Sequence, residues 1–355
     1  MAPWTLSEAS AAAKGTPLDT KAYFYDAEGR DREIALEDAS VDTLAPDQLL
    51  WIDMPDREED HLRQVSALLK LPPELLAACQ MDRPQLDNYG DYFRFHVDTA
   101  PAPQNHQDES DREKPAQAEP AHGLPGSVRV DFVVSERWLV TIHDGEAICL
   151  ERFRDQDKTE TQIGQLSGQA LAASLLDWHL GEYFAEVSRI EEAVDKLDER
   201  LLREATSHLL LGRIVALRRR VSKLRSLLGS QRDVFYGLSR PDFALITDSG
   251  AAPFYEALAV RFERAIDEVE RSRDLIVGSF ELFTSRTGQQ TNDLVKLLTF
   301  LTAIVGFCAA IAGLMGMNFK LAFFETGMFG FSLVTGGVLL LALISVAYAR
   351  YREWI

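Results

Sequence analysis

Cysteine is scarce in this 355-residue chain: Cys79, Cys149 and Cys308 form no close pair, and one of them lies inside an apolar run. That excludes a disulfide framework and a CxxC metal site, and the three thiols read as buried apolar residues. The seven histidines (His61, His96, His106, His122, His143, His179 and His208) show no HxxxH pairing. A Gly-rich phosphate loop and a nucleophile elbow are also missing, so the chain is not expected to be an enzyme. Basic residues are in the minority, 37 Lys and Arg against 55 Asp and Glu, for a net charge of −18 and a pI near 4.9. Phosphate recognition relies on clustered Lys and Arg, so nucleic acid is excluded as a partner. An acidic surface attracts cations instead, although most of these carboxylates serve as solvated charge. The opening MAPWTLSEASAAAKG has neither a basic n-region nor an apolar h-region, so no cleaved signal peptide is expected and the soluble part is placed in the cytoplasm.

Charge is missing altogether from two stretches near the C-terminus. Leu297 to Met317 holds no ionisable acid or base over 21 residues, which at about 1.5 Å per residue matches a bilayer hydrocarbon core. Met328 to Tyr348 is a second such run, and the short connection Asn318 to Gly327 makes the pair a tight antiparallel hairpin. Lys296 before the first span and Arg350 and Arg352 after the second put both chain ends on the cytoplasmic side, with the loop outside. The first span is not uniformly apolar. Asn292, Val295, Thr299, Thr302, Gly306, Ala309, Gly313 and Met317 recur at three or four residues and share one helix face. Such a stripe serves either close helix packing or the lining of a pore.

The span closes on Gly316-Met317-Asn318, followed by Phe319. A Gly that breaks a helix and an Asn that satisfies its carbonyls would make a structural cap. The tripeptide at the end of the first of two C-terminal spans, the loop of about ten residues and the short basic tail together resemble the CorA family of divalent metal ion transporters. The resemblance extends to Thr291-Asn292, Lys296 and Leu298-Thr299, and more loosely over most of the chain. It implies a homopentameric funnel in the cell inner membrane, whose outer pore mouth and selectivity filter are Gly316, Met317 and Asn318. It also implies regulation by the transported ion through cytoplasmic carboxylates between subunits, for which Glu256, Asp267, Asp87 and Asp91 are candidates. No cofactor is expected beyond the divalent cation itself; the partners are membrane lipid and further copies of the chain. Met315 departs from the aromatic that magnesium-transporting members commonly carry before the tripeptide, so both magnesium uptake and the zinc transport of the ZntB-like branch stand.

The expected architecture is an α/β cytoplasmic domain followed by a long stalk helix and two C-terminal transmembrane helices. Residues 1–20 form an N-terminal tail. Residues 21–160 form the α/β domain, with strands at Ala22 to Tyr25, Leu49 to Asp53 and Tyr92 to Val97, and a hairpin of Val128 to Val134 with Trp138 to His143. Asp56 to Lys70 reads as an amphipathic helix capped by Asp56. An insertion at 101–126, rich in Pro, Gln and acid, is expected to be disordered. Residues 161–293 form a helical arm and stalk: an acidic helix, Glu182 to Glu204, joined near Thr206-Ser207 to a basic one, Arg213 to Arg225, as an antiparallel pair. From about Pro253 one helix of roughly 100 Å is expected to run to Met317. Its stripe Leu258, Phe262, Ala265, Val269, Ser272, Ile276, Phe280, Phe283, Thr287, Gln290 and Leu294 is expected to face identical partners around an axis. Residues 294–355 form the pore domain.

Chemistry then suggests a role for each pore residue. Magnesium holds its waters reluctantly, so an entrance of neutral oxygens from Asn318 and Gly316 binds the hydrated ion without stripping it. Thr299, Thr302 and Asn292 would guide the ion, and Val295 with Leu298 would form an apolar constriction that gates by dewetting. No carboxylate lies in the spans, which favours a hydrated cation. The lack of close His or Cys weighs against permanent zinc binding. A reading of a different class is a membrane-anchored coiled-coil signalling or scaffold protein, which leaves the polar stripe and the tripeptide unexplained.

Overall fold

The computed structural model describes residues 20–28, 31–72, 75–76, 84–101, 126–156, 162–203, 208–315 and 327–351. The tripeptide 316–318, most of the 101–126 insertion, the 206–207 turn and nearly all of the 1–20 tail therefore lie outside the described residues. The chain divides into two compact units: Met1–Lys196 with Ile214–Ile276, and Leu197–Arg213 with Val277–Ile355.

The first unit is built on a seven-stranded sheet in the order β2-β1-β3-β7-β6-β5-β4, from β1 (Lys21–Asp26), β2 (Arg32–Ile34), β3 (Gln48–Met54), β4 (Leu86–Asn88), β5 (Phe93–Asp98), β6 (Arg129–Val134) and β7 (Trp138–His143). Only β3 and β7 pair in parallel, with Ile52 opposite Val140. Their sequences, QLLWIDM and WLVTIH, are near-continuous apolar runs, and almost every residue is buried, as expected for strands covered on both faces. One face carries Leu50, Ile52, Met54, Val140 and Ile142 against Leu62, Val65 and Leu69 of α1 (Glu59–Leu69). Each of these side chains is withdrawn from water, an apolar burial of about 1.5–3 kcal/mol apiece. The other face stacks Phe95 on Phe132 with ring centroids 4.8 Å apart and sets Trp51 edge-on against Phe153 of α2 (Ile148–Gln156).

Asp56 is not the cap of α1. The cap position falls to Glu58, which makes no side-chain bond there, while Asp56 Oδ1 accepts from Glu58 N at 3.2 Å. Lys70 ends the helix in the left-handed region at φ 55°. Gly168 passes close to the β6–β7 turn, where a Cβ on it would sit 2.2 Å from Ser135 O.

Two long helices follow, α3 (Gly168–Arg203) and α4 (His208–Leu238). Ion pairing between the acidic and the basic helix includes Glu186 of α3 bridged to Arg220 of α4. Lys196 bonds Glu192 on its own helix instead. Ile190 and Val194 of α3 and Leu217, Val221 and Leu224 of α4 are buried.

Helix α5 (Ala252–Met315) is unbroken over 64 residues. Its stripe does not behave as expected over the first unit. Leu258, Phe262, Ala265, Val269, Ser272 and Ile276 are already buried inside one chain, with Phe262 stacked on Phe235 of α4 at 4.4 Å. These positions are therefore not free for identical partners. In the second unit, α5 continues to Met315 and is followed by α6 (Met328–Tyr351). Both helices contain apolar windows of mean hydropathy 2.3 and 2.2, long enough to cross a membrane, and those windows are almost wholly exposed.

Candidate pore face and carboxylate sites

The spacing of the proposed pore residues translates directly into geometry once α5 is seen to be continuous. Asn292, Val295, Leu298, Thr299, Thr302, Gly306, Ala309 and Gly313 fall within roughly a third of the helix circumference, and all eight are exposed. Thr299 Oγ1 donates to Val295 O at 2.8 Å, and Thr302 Oγ1 donates to Leu298 O at 2.7 Å. The hydroxyl protons are thereby turned into the helix, and the oxygen lone pairs point away from it. A face built this way accepts hydrogen bonds, which suits the water protons of a hydrated cation. A Cβ on Gly306 or Gly313 would meet nothing within 4 Å. Packing inside the chain therefore does not demand glycine there; close approach by another body would. Lys296 is held to Asp293 at 3.0 Å, one turn below the uncharged run. Gly316, Met317 and Asn318 fall outside the described residues.

The four carboxylates proposed as regulatory ligands are placed apart. Glu256 and Asp267 are exposed on α5. Asp87 lies half-buried on β4, where its Oδ1 accepts from Gln85 Nε2 at 3.0 Å. Asp91 is exposed beside the β4–β5 turn, and its carbonyl accepts from Ser135 Oγ. Among the described residues these four form no ligand set within one chain. A different trio does converge, Asp56, Glu58 and His61 at the start of α1, with ligand atoms within 4.8 Å of one another. The sequence carries a signal for it, two acids and a histidine around a helix start, of which the cap reading uses Asp56 alone.

Sequence reasoning also missed two buried polar centres in the sheet. Asp53, 2% exposed, accepts from Thr141 Oγ1 (2.5 Å) and Arg154 Nη1 (3.0 Å), and its Oδ1 lies 3.2 Å from His143 Nε2. The other ring nitrogen of His143 lies 2.6 Å from Gly145 O. Burial works to lower the His143 pKa, but the bond to Asp53, its charge and the Gly145 carbonyl outweigh burial and hold it above its ordinary value. On the opposite face, Asp131 accepts from Arg57 Nη2 at 2.6 Å, with Arg94 at 3.4 Å. Beside it, burial pushes His96 down to about 4. These groups tie β3, β7 and α2 together on one face, and β5, β6 and the segment before α1 on the other.

The chain thus combines a mixed α/β domain, long helices and, at its C-terminal end, two helices long and apolar enough to cross a membrane. The family described as "CorA-like Mg2+ transporter protein" matches residues 46–350, and the chain belongs to that family. The cobalt/magnesium transport protein CorA of Thermotoga maritima is 27% identical over 185 residues, a region that spans 52% of this chain and 52% of that protein. The chain thus spans about half the length of that relative. The complete structure of the CorA magnesium transporter from Methanocaldococcus jannaschii superposes with a TM-score of 0.71 at 19% identity, covering 96% of this chain and 100% of that one. The ZntB cytoplasmic domain from Vibrio parahaemolyticus superposes with a TM-score of 0.56 at 9% identity, over 77% of this chain and all of that one. The two structures establish a shared fold, in agreement with the architecture expected from the sequence.

Proposed function

We propose that the protein is a divalent cation transporter of the cell inner membrane. It takes up magnesium through an axial pore formed by α5 from five copies, with both chain ends in the cytoplasm. The observation that carries this reading is the exposed acceptor face of α5 inside an uncharged span, in a chain of the CorA-like family. Gly316, Met317 and Asn318 form the entrance, where neutral amide and carbonyl oxygens bond the waters of the arriving ion. Thr302 and Thr299 take over those waters below, and Asn292 receives the ion at the inner end. Val295 and Leu298, both exposed and apolar on the same face, form the constriction that empties of water when closed. Glu256, Asp267, Asp87 and Asp91 are exposed or half-buried in the single chain, so as regulatory ligands they would act across neighbouring copies.

Zinc is the second reading of the cargo, favoured by Met315 in place of an aromatic and by the structural likeness to ZntB. Uptake into proteoliposomes of magnesium, cobalt, nickel and zinc, each with and without a pH gradient, separates the two cargos and tests proton coupling. Asn318→Ala should abolish flux while leaving insertion intact, and Asn318→Asp should slow release by holding the ion. Near-normal flux through Asn318→Ala would sink the entrance assigned to it and favour a membrane-anchored scaffold.

A further inference from the structure

In the first unit, the side of α5 open to a second copy is not the stripe Leu258 to Ile276, which α3 and α4 of the same chain already cover. Counted back from Asn292 in alternating steps of four and three residues, the spacing of the pore face arrives instead at Asp274, Arg271, Asp267, Arg264 and Val260. All five are exposed, Val260 by 73%. A mean step of 3.5 residues keeps a single side of each helix turned to a shared axis when parallel helices wrap around one another. The unbroken α5 thus carries one heptad register from the uncharged span back to Val260.

The charges on this side select the occupant. They alternate in sign, Arg264, Asp267, Arg271, Asp274, and they are not used up within the chain. Glu263 and Glu270, off this register, pair with Arg232 and Arg225 of α4. Asp267 and Asp274 have no ion-pair partner among the described residues, and Arg264 and Arg271 lean on Glu268 of their own helix, at 3.9 and 3.3 Å. A strongly acidic or basic partner would meet as much repulsion as attraction on such a face. A copy of the same face fits it. In a ring of level copies, each aspartate lies about 4.5–6 Å along the axis from an arginine of its neighbour, a distance that an arginine stem spans. Pairs of this kind fix partner and register more than they add affinity.

We infer that this side of α5 is the cytoplasmic seam between neighbouring copies, in which Arg264 and Arg271 of one copy pair with Asp267 and Asp274 of the next and Val260 packs at the start of the seam. This rests on the reading of five copies arranged around an axis along α5.

The test uses two full-length variants distinguished by mass tags, Asp267→Arg with Asp274→Arg, and Arg264→Asp with Arg271→Asp, each inserted in nanodiscs and read by native mass spectrometry. Alone, each should show several-fold less oligomer than the parent. Expressed together, they should form mixed oligomers several-fold above the random proportion, a rescue that ion pairs along a single helix do not produce. Parental assembly by either variant alone, or mixing at or below the random proportion, would overturn the seam. The photocrosslinking residue p-benzoylphenylalanine at Val260 of the parent tests it without any change of charge: a crosslink between chains is expected, and one confined to its own chain, or none, refutes the seam as well. The parent's own mass separates the failures. A monomeric parent refutes the five-copy reading, whereas an oligomeric parent with either negative result refutes the seam alone.

Discussion

Thr302→Val removes one oxygen and nearly nothing else. Valine has the same shape, and in this helix the hydroxyl proton is spent on Leu298 O at 2.7 Å, so no neighbouring side chain loses a partner. Helix propensities of Thr and Val are close, and a back-bonded Thr is slightly destabilising in a helix interior. Assembly and thermal stability should therefore stay within about 0.5 kcal/mol of the parent. Transport should not. A passing hydrated cation can use the ring of Thr302 oxygens as acceptors for its waters, and a net hydrogen bond contributes roughly 0.5–1.5 kcal/mol. If about two of the symmetry-related oxygens engage the ion at once, their loss raises the barrier by about 1–3 kcal/mol. That corresponds to a slowing of roughly 5- to 150-fold. Thr302→Ser keeps the oxygen and should retain most of the rate. Thr335→Val, on exposed α6 surface, should leave flux unchanged and controls for insertion. Initial rates of magnesium uptake in proteoliposomes, normalised to oligomer content, measure all three variants. Parental flux through Thr302→Val would refute the assignment of this face to the ion path.

Arg220→Leu strips Glu186, 1% exposed, of its ion-pair partner Arg220 on α4, while Arg189 on the same helix stays paired to it. It should cost about 3–5 kcal/mol, whereas the double change with Glu186→Leu should recover most of that, as read by unfolding of the solubilised protein. Gly168→Ala puts a methyl 2.2 Å from Ser135 O and should cost about 1–3 kcal/mol or more; a melting point equal to the parent would mean that the β6–β7 turn can move aside. His143 has a folded pKa above its ordinary 6.5, so its contribution to stability is complete below 6.5 and fades as pH rises through the raised value. His143→Gln should flatten that alkaline decline. His96 and His179 are held down to about 4 by burial, so their contribution is lost as pH falls from 6.5 towards 4, giving stability an acid decline that His143→Gln leaves in place.

The two span-length apolar helices were legible from composition alone, because exclusion of charge over about 20 consecutive residues is a property of the chain as a line and needs no neighbours. The shared side of Asn292 to Gly313 was legible for a similar reason: a continuous helix converts three-four spacing into a surface without help from packing, and these residues share a side wherever α5 goes. The central strands β3 and β7 also declared themselves, since runs such as LLWI and WLVTI have no use outside a doubly covered sheet. Other features depended on partners distant in sequence. The edge strands β2 and β4 have three residues each, too short for a period, and exist only because β1 and β5 offer them hydrogen bonds. The stripe Leu258 to Ile276 looked like an assembly seam; periodicity marks which side of a helix is buried, but only tertiary packing decided that α3 and α4 of the same chain would cover it. Asp53, His143 and Arg154 are scattered over a hundred residues and carry no local signature. Their coupling arises because β3 lies beside β7 and α2 closes over both, where a low dielectric requires each buried charge to find a partner.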